Sequence, residues 1–329
     1  MKFVDIALTF NEGFLNQASV TILSALRSAN DSTLYNFYVV SNNLSFESQQ
    51  KLLDLVTKEP HFSKIEFIHI SKEICDNIPK IGNFGIEVNF RLWFPQLLPH
   101  LDRVLYIDCD TMVVGDLSDL FYTNLDGKAY GACNEYKINL YLGNCRSDKD
   151  RIEFLNKHGF DFYTDNYINS GVILFNLDYC RTHNYTQRAS EFLIENKDDP
   201  QFVYPDQDVL NVLAKQDGDD VRVFINWKYN IYHSSVIKKF DKNDYDQMIC
   251  LKFYDITDFD SFKPAIIHYA GNTKPWVRYT GMMDTQYLGY AKELGWKIAY
   301  NKIELFKIKL KKLIKWCLPY GIVKKMKQS

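Results

Sequence analysis

Short runs of β-branched and aromatic residues alternate with helix-length segments along the N-terminal part of the chain. The first three runs are Val4–Phe10, Tyr35–Ser41 and Ile65–Ile70, and the segments Leu15–Ala29 and Phe46–Lys58 separate them. Strands that alternate with helices of this length are typical of βαβ units, in which successive strands lie parallel. The sequence therefore predicts an α/β fold built on a parallel sheet.

The same alternation continues further along the chain. We expect four more strands, at Arg103–Ile107, Ala129–Cys133, Ile168–Phe175 and Pro264–Tyr269. Three more helices are expected, at Asp148–His158, Asp178–Asn196 and Asp206–Ala214. The segment Asn226–Phe262 is polar and aromatic without a regular period, which predicts a long loop or subdomain over a binding site. A module boundary is expected near Ala299, since no other linker or repeat interrupts the chain.

The composition is that of a large globular domain. The chain has 329 residues, of which 46% are hydrophobic and 24% charged, enough to bury one big core with a small appendage. The N-terminal segment 1–14 is interrupted by Asp5, so it reads as a first strand and not as a signal peptide. No stretch reaches the roughly 18 apolar residues of a spanning helix. We therefore expect a chain that does not cross a membrane.

The seven cysteines predict a reducing environment. They are scattered, odd in number and without a C-x-x-C pair, at positions 75, 109, 133, 145, 180, 250 and 317. This distribution fits inert thiols better than a disulfide framework or a zinc site. The expected location is the cytoplasm.

The charges of the chain are distributed unevenly. Residues 301–329 contain nine lysines and one glutamate, a net charge of +8, which leaves −10 for residues 1–300. Apolar residues such as Ile303, Leu310 and Ile314 recur there at helical spacing, with lysines on the opposite arc and Pro319 ending the helix. A basic amphipathic helix of this kind is typical of a membrane-surface anchor, with packing on the domain as the alternative. Nucleic acid is disfavoured because the acidic remainder would repel phosphates.

Two carboxylates follow the predicted strand Arg103–Ile107. Asp108 and Asp110 are separated by Cys109, and residues i and i+2 of an extended chain point the same way. They can converge on one hard cation at the carboxyl end of the strand, where open α/β sheets bind ligands, while Cys109 points away. The alternative is a turn that aspartates merely cap, and a lone D-x-D pattern does not decide between the two.

The wider context of this pattern resembles glycosyltransferase family 8. Stretches similar to the family's motifs occur in order over roughly residues 3–280: DIALTF, NFRLWFPQLLP, LYIDCDTMVVGDLSDLF, NSGVILFNLDYCR, YPDQDVLN and IIHYAGNTKPW. The resemblance implies a GT-A fold, a Rossmann-like mixed sheet flanked by helices, which we expect over residues 1–299. The basic helical tail predicted from the charge pattern follows it at residues 300–329. It also implies a retaining hexosyltransferase that uses a nucleotide sugar.

The resemblance assigns a metal site and its surroundings. Asp108, Asp110 and His268 would hold Mn²⁺ or Mg²⁺, and an imidazole favours Mn²⁺. The metal would offset charge on the departing diphosphate. Gly271 would let the backbone approach phosphate and Lys274 would offer it a charge, unless Lys274 is merely solvated.

A second group is implied to bind the donor. Arg91 would contact the diphosphate or the sugar, with an exposed helix arginine as the alternative. The segment YPDQDVLN places Asp206, Gln207 and Asp208 in the first turn of a helix, where capping alone explains one aspartate. By resemblance Asp206 binds sugar hydroxyls and Gln207 lies opposite the leaving group, at the anomeric carbon.

The catalytic route stays open between two alternatives. A front-face route would use Gln207 to stabilise oxocarbenium-like charge through its carbonyl oxygen. A double displacement would need a protein nucleophile, and Asp208 is the carboxylate nearest in sequence.

The remaining donor contacts are implied at strand ends. Asn169 would reach the donor sugar, with Gly171 leaving room, and Glu135 matches sugar-binding acids more loosely. At the first strand the family shows a small residue and an aspartate that read uracil, whereas this chain has Thr9 and Asn11. An asparagine still accepts from uracil N3–H, so UDP remains the expected nucleotide. Cys109, within the D-x-D run, belongs to the same donor-binding set.

Three functions are consistent with a D-x-D site of this kind. The first is a metal-dependent transferase that moves galactose or glucose from a UDP-hexose to a glycan or glycolipid acceptor such as lipooligosaccharide or capsule, peripheral on the inner face of the cytoplasmic membrane. The second is an inert nucleotide-sugar-binding membrane scaffold, which the complete set of Asp108, Asp110, Gln207 and His268 argues against. The third is a nucleotidyltransferase or phosphoesterase, which expects no HYAGNTKPW segment. Donor hexose, acceptor, linkage and oligomeric state are not predicted.

Overall fold

The computed structural model describes residues 1–82, 84–135, 146–161, 164–218, 221–232, 263–271, 274–277 and 282–298. The part of the predicted loop after residue 232, the boundary near Ala299 and the basic tail lie outside these residues.

Ten strands form two sheets within the described residues. They are β1 (Lys2–Thr9), β2 (Thr33–Ser41), β3 (Phe62–His69), β4 (Arg103–Ile107), β5 (Thr111–Val113), β6 (Tyr130–Asn134), β7 (Ile168–Asn176), β8 (Arg222–Phe224), β9 (Ile231–Tyr232) and β10 (Ile266–His268). The described α-helices are Leu15–Arg27, Phe46–Val56, Lys72–Asp76, Phe94–Leu97, Ser118–Phe121, Arg146–Lys157, Leu177–Thr182, Tyr185–Asn196, Pro205–Asp217 and Met282–Glu293.

The larger sheet has seven strands in the order β3-β2-β1-β4-β7-β6-β8, and the smaller sheet has the order β5-β10-β9. Strands β1 to β4 pair in parallel, as the βαβ pattern predicts. Strand β7 runs antiparallel to both β4 and β6, so the sheet is mixed. A purely parallel sheet is therefore wrong, and the mixed sheet implied by the resemblance is confirmed.

Helices cover both faces of the larger sheet. Alternate residues of β1 divide between the two cores: Ala7 packs in one, and Val4, Ile6 and Leu8 pack in the other. A third core lies under the smaller sheet, where Ile267 and Met112 pack against the helix Met282–Glu293. This arrangement leaves the carboxyl ends of the parallel strands, where β4 ends, available for a binding site.

One predicted helix differs from the structure, and one observed helix near the site was not predicted. The single helix predicted over Asp178–Asn196 is two helices, because Asn184 adopts a left-handed conformation with φ of 56° between them. Asparagine tolerates this conformation better than most residues, and the backbone there turns instead of continuing. Residues Ile86–Trp93, for which no element was predicted, form a 3₁₀ helix with five buried residues.

Candidate active site

The loop after β4 holds both aspartates of the D-x-D run on one side. The Asp108 backbone N–H donates to Gly171 O at 2.8 Å, and the Thr111 hydroxyl donates to Asp108 O at 2.8 Å. The Cys109 thiol is buried and donates to Thr9 O at 3.7 Å, so it points to the opposite side as expected. These bonds fix the turn and leave the two carboxylates facing the same space.

Strand pairing brings His268 to this turn. Strand β10 runs antiparallel to β5, with His268 opposite Thr111, and the Tyr269 N–H donates to Asp110 O at 2.9 Å. His268 Nε2 then lies 3.2 Å from Asp110 Oδ1 and 3.7 Å from Asp108 Oδ2. The ligand atoms of Asp108, Asp110 and His268 lie within 4.8 Å of one another, so the three predicted metal ligands meet in space.

Gly171 leaves room for this cluster. A Cβ atom at this position would lie 2.3 Å from His268 Cε1, 2.8 Å from His268 Nδ1 and 2.9 Å from Asp108 Oδ2. Contacts of this length are far shorter than van der Waals separation, so only glycine fits here. The expectation that Gly171 leaves room therefore has a structural basis in the metal cluster.

Lys274 and Gly271 lie on the chain that follows β10. The Lys274 ammonium donates to Asp110 Oδ2, so this side chain is paired and not free in solvent. Gly271 has φ of 82°, a left-handed conformation that suits glycine, and a Cβ added there would meet no atom of the described residues within 4 Å. The ammonium of Lys274 thus stands as a cation beside the aspartate pair.

The two aspartates differ in their electrostatics. Burial raises the pKa of Asp108, helped by the nearby charge of Asp110 and opposed by Arg91 and His268. Burial also acts to raise the pKa of Asp110, but His268 and Lys274 outweigh it and hold that pKa below its usual range. The cluster therefore carries concentrated negative charge that basic groups already surround.

Arg91 lies behind the aspartates, on the 3₁₀ helix, with 3% of its side chain exposed. Its Nη2 donates to Asp108 Oδ1 at 2.9 Å, its Nη1 donates to Ser170 O at 2.6 Å, and Nη1 is 3.1 Å from Asp206 Oδ2. Burial alone would lower the pKa of Arg91, but the two carboxylates outweigh it and raise that pKa above its usual value. The alternative of an exposed helix arginine is wrong, because Arg91 links the metal cluster to Asp206.

The helix Pro205–Asp217 begins with the predicted acidic turn, and Asp206, Gln207 and Asp208 are all buried. Gln207 Oε1 accepts from the Ser170 N–H at 2.9 Å and from Asn169 Nδ2 at 3.1 Å. Because a backbone N–H can only donate, the first bond identifies this atom as the oxygen. The Ser170 hydroxyl also donates to this oxygen, at 3.3 Å, so Gln207 lies beside Asn169 with its carbonyl oxygen engaged by three donors.

Asp208 forms an ion pair with Arg151 that is separate from the Arg91 pairs described above. Its Oδ1 accepts from Arg151 Nη2 at 2.8 Å and from Arg151 Nε at 3.2 Å, and it also accepts from the Tyr167 hydroxyl. The Asp208 side chain is fully buried. A carboxylate neutralised in this way is a poor nucleophile, so the geometry disfavours Asp208 in a double displacement.

Asn169 lies at the centre of a cluster of buried polar side chains. Its Nδ2 donates to Glu135 Oε2 at 2.7 Å and to the Tyr232 hydroxyl at 2.9 Å, and the Tyr232 hydroxyl in turn donates to Glu135. Glu135 Oε1 is buried and has no hydrogen-bond partner within the described residues. The loosely matched Glu135 thus lies in the same group as Asn169.

The two residues predicted to read uracil have local partners. The Tyr106 hydroxyl donates to Asp108 Oδ1, so the Thr9 hydroxyl, 3.3 Å away, donates to the Tyr106 oxygen. Asn11 Oδ1 accepts from the Gly13 N–H at 3.0 Å as the N-cap of a short 3₁₀ helix, and Asn11 Nδ2 donates to Glu87. Thr9 therefore supports Asp108 through Tyr106, and Asn11 orders the loop after β1.

Sequence reasoning missed four residues that position this site. Tyr106 contacts Asp108, Arg151 contacts Asp208, Asn230 contacts His268 and Tyr232 contacts Glu135. Only Tyr106 carried a local signal, because it lies two residues before Asp108 and so points to the same side of β4. The other three depend on contacts between distant segments.

The donor set fits a divalent cation. Two carboxylates and an imidazole within 4.8 Å of one another are the ligands that Mn²⁺ and, less well, Mg²⁺ accept. The Lys274 ammonium on Asp110 marks this position as one that favours positive charge. Residues Asp108, Asp110 and His268 are thus the side chains that would hold the ion.

Known structures and sequences resemble this chain over most of its length. The structure superposes on the galactosyltransferase LgtC, solved in complex with donor and acceptor sugar analogs, with a TM-score of 0.69 and 23% identity over 88% of this chain and 96% of that chain. The sequence is 26% identical to the lipopolysaccharide 1,2-glucosyltransferase of Escherichia coli K12, over 89% of this chain and 79% of the relative. It is also 26% identical to the lipopolysaccharide 1,3-galactosyltransferase of Salmonella typhimurium, over 88% of this chain and 77% of the relative.

The fold is of the GT-A class, as in the solved structure of LgtC. The family model for glycosyl transferase family 8 matches residues 5–280, and the chain belongs to that family. The predicted fold, family and enzyme class, a hexosyltransferase, are confirmed. Within the residues that the structure describes, no helix has the length and apolar character needed to span a membrane.

Proposed function

We propose that this enzyme transfers galactose or glucose from a UDP-hexose to a surface-glycan acceptor, lipooligosaccharide or capsule, with retention of the anomeric configuration. The observation that carries the proposal is the meeting of Asp108, Asp110 and His268 beside the buried group of Asp206, Gln207 and Asn169. The names of the relatives, lipopolysaccharide glucosyl- and galactosyltransferases, support the choice of hexose and acceptor class.

Two buried carboxylate oxygens support a sugar ligand. Glu135 Oε1 and Asp206 Oδ2 have no hydrogen-bond donor among the described residues, although Arg91 neutralises Asp206 from 3.1 Å. A buried acceptor without a donor costs free energy unless a ligand supplies one. The hydroxyl groups of a hexose are donors of the required kind. Asp206 and Glu135 would therefore bind the donor sugar.

Charge complementarity supports a diphosphate between the sugar and the nucleoside. A divalent cation on Asp108, Asp110 and His268 would supply Lewis acidity to the departing diphosphate. Lys274 would leave Asp110 and donate to the phosphate oxygens, since an ammonium released by the aspartate needs a new anionic partner. Arg91 stays behind Asp108 and keeps its carboxylate oriented.

The contacts of the acidic residues favour the front-face route. Asp206 pairs with Arg91 and Asp208 pairs with Arg151, and Gln207 is an uncharged amide, so none of the three presents a free carboxylate nucleophile. The phosphate of the departing nucleotide would then deprotonate the acceptor hydroxyl on the face from which the diphosphate leaves. A covalent hexosyl adduct on Asp206 or Asp208, detected by mass spectrometry of enzyme quenched during turnover, would contradict this route.

Gln207 would act at the sugar. The Ser170 N–H is a fixed donor to its carbonyl oxygen, whereas Asn169 Nδ2 and the more distant Ser170 hydroxyl are side-chain donors that would turn to the hydroxyls of a bound donor. That exchange leaves one lone pair of Gln207 Oε1 for positive charge that develops at the anomeric carbon.

A donor assay tests the proposal. Purified enzyme is incubated with UDP-galactose or UDP-glucose, with Mn²⁺ or with a chelator, and UDP release is measured. We expect Mn²⁺-dependent release that Asp108→Ala and Asp110→Ala abolish together with metal-dependent UDP binding. Asp119→Ala is the matched control, because the Asp119 side chain is 81% exposed and pairs with Lys2, which does not belong to the metal cluster. Silence with every donor, and no Mn²⁺-dependent UDP binding, would remove the proposal.

The same assay separates the alternatives. Tight UDP binding without turnover on any acceptor would indicate the inert scaffold, and release of pyrophosphate would indicate a nucleotidyltransferase. The complete set of Asp108, Asp110, Gln207 and His268 favours the transferase over both.

We also propose that the basic tail, residues 300–329, holds the enzyme on the anionic inner face of the cytoplasmic membrane, near a glycolipid acceptor. Each lysine near such a surface contributes about 1 kcal/mol. Deletion of residues 301–329 should release the protein from anionic vesicles while UDP-hexose hydrolysis continues, and neutral vesicles serve as the control. Loss of hydrolysis together with vesicle binding would show that the tail belongs to the domain core.

A further inference from the structure

Asn230 lies between two parts of the site: it contacts His268 of the metal cluster on one side and Asn169, proposed to bind the donor sugar, on the other. It is buried and lies directly before β9, between His268 and Asn169. Asn230 Nδ2 lies 2.6 Å from Asn169 Oδ1, and Asn230 Oδ1 lies 2.8 Å from His268 Nδ1. Both polar atoms of the Asn230 amide are therefore engaged, each by one half of the site.

The direction of these hydrogen bonds is fixed by one backbone group. The Gly171 N–H donates to Asn169 Oδ1 at 2.9 Å, so this atom of Asn169 is an oxygen. Asn230 must then turn its NH₂ group towards Asn169 and its oxygen towards His268. Because Asn230 Oδ1 can only accept, His268 Nδ1 must carry the proton of this contact.

The consequence concerns the other ring nitrogen of His268. With the proton on Nδ1, the nitrogen that faces Asp110 Oδ1 at 3.2 Å and Asp108 Oδ2 at 3.7 Å is Nε2. A metal-binding imidazole needs a lone pair on the nitrogen that faces the ion, and a partner on its second nitrogen orients the ring. Asn230 supplies that partner.

We infer that Asn230 is a positioning residue that selects the His268 tautomer able to bind the cation, and that it couples this choice to Asn169 at the sugar-binding end. This inference rests on the proposed function, because it needs the divalent cation there. It assigns Asn230 no contact with the substrate. Its effect on the reaction passes through His268 on one side and Asn169 on the other.

Mn²⁺ affinity without nucleotide tests the first half of the inference. Free Mn²⁺ is measured by electron paramagnetic resonance during titration of full-length enzyme. Asn230→Leu removes the acceptor for His268 and should weaken Mn²⁺ binding about 10–100-fold, the usual effect of losing such a partner. Asn196→Leu is the matched control, because Asn196 is also buried and its side chain donates, among the described residues, to Phe192 O of its own helix. It should leave Mn²⁺ affinity unchanged.

Asn230→Asp tests the second half. A carboxylate still accepts from His268 Nδ1, so Mn²⁺ affinity should equal or exceed that of the wild type. The carboxylate cannot donate to Asn169 Oδ1, so Asn169 loses its orientation and the KM for the UDP-hexose should rise. This split between metal affinity and KM is not expected from a general loss of packing, and thermal unfolding confirms that each variant is folded.

The outcomes distinguish this inference from the proposed function. A wild-type enzyme that binds no Mn²⁺, either alone or together with UDP, would overturn both. If the wild type binds Mn²⁺ and a folded Asn230→Leu variant binds it equally tightly, the inference alone is overturned. Equal weakening in Asn230→Leu and Asn230→Asp would also overturn it, because the retained acceptor should have rescued His268.

Discussion

Arg151 and Asp208 form an ion pair inside the protein, with Nη2 of the arginine 2.8 Å from Oδ1 of the aspartate and the two side chains 3% and 0% exposed. The guanidinium also lies 4.5 Å and 4.2 Å from the ring centroids of Tyr167 and Tyr204. Burial alone would lower the pKa of Arg151, but Asp208 outweighs it and raises that pKa. The pair anchors the first turn of the helix Pro205–Asp217, which carries Asp206 and Gln207.

Replacement of Arg151 should destabilise the protein strongly. Arg151→Leu leaves Asp208 as an uncompensated buried charge, which typically costs about 3–5 kcal/mol of the free energy of unfolding. Urea denaturation followed by circular dichroism measures this cost. Lys51→Ala is the control, because the Lys51–Glu47 pair is exposed to solvent and should contribute little to stability. The double variant Arg151→Leu/Asp208→Leu should recover much of the loss, and failure to recover would mean that the arginine acts by packing alone.

Substitution of Gly171 should disrupt the metal cluster. Gly171→Ala places a methyl group 2.3 Å from His268 Cε1 and 2.9 Å from Asp108 Oδ2, so at least one ligand must move. We expect Mn²⁺ affinity, measured by calorimetry, to fall at least about 10-fold, as losses at groups that orient metal ligands do.

Gly289→Ala is the control for this substitution. Gly289 lies in the helix Met282–Glu293, and an added Cβ would meet no atom of the described chain within 4 Å, so alanine should leave Mn²⁺ binding unchanged. It should also raise the free energy of unfolding by up to about 1 kcal/mol, because alanine favours the helix. Normal Mn²⁺ binding in Gly171→Ala would show that the ion does not depend on the observed positions of His268 and Asp108.

Removal of the Lys274 ammonium should weaken the binding of UDP with Mn²⁺ without weakening the binding of Mn²⁺ alone. Lys274 pairs with Asp110, a ligand of the proposed cation, so the ammonium and the cation compete for one carboxylate. Lys274→Met should therefore bind Mn²⁺ alone as tightly as the wild type or more tightly. It should bind UDP with Mn²⁺ more weakly, because the diphosphate loses a cationic partner. Lys228→Met, at a lysine that lies over the Tyr229 ring, is the control for both titrations. Weaker binding of Mn²⁺ alone would contradict the competition.

The sequence predicted the elements near the site better than their pairing. The strand Arg103–Ile107 was predicted with its observed bounds, because an apolar run followed by Asp108 marks both the strand and its end. The antiparallel direction of β7 beside β4 was not predictable from Ile168–Asn176. A strand buried on both faces reads as a continuous apolar run whichever way its neighbour runs.

The site residues that belong to a recognisable motif were predictable from the sequence, and the isolated site residues were not. The resemblance indicated Asp108, Asp110 and His268, and the pairing of β5 with β10 brings them together. Arg151 and Asn230 had no local pattern to mark them, because their partners lie 57 and 38 residues away, Asp208 for Arg151 and His268 for Asn230. Such contacts follow from tertiary packing, which one sequence does not reveal.

Gln207 should affect transfer without affecting nucleotide binding. Its carbonyl oxygen contacts Asn169 and Ser170, and no contact joins it to Asp108, Asp110 or Lys274 among the described residues. Gln207→Ala should therefore lower kcat about 10²–10³-fold, the usual cost of losing one group that stabilises transition-state charge. The Kd for UDP with Mn²⁺, measured by calorimetry, should stay within about 2-fold of the wild type.

Gln207→Glu separates charge from hydrogen bonding at the same position. The glutamate keeps an acceptor for the Ser170 N–H, so the helix start and UDP binding should be preserved. Its carboxylate is not paired with an arginine in the way that Asp206 and Asp208 are, so it offers the anomeric carbon a free nucleophile. We expect slow turnover and a trapped hexosyl adduct at residue 207 in the intact-mass spectrum. Parallel losses of kcat and UDP affinity in Gln207→Ala would instead assign this residue to folding of the site, and the front-face proposal would lose its charge-stabilising group.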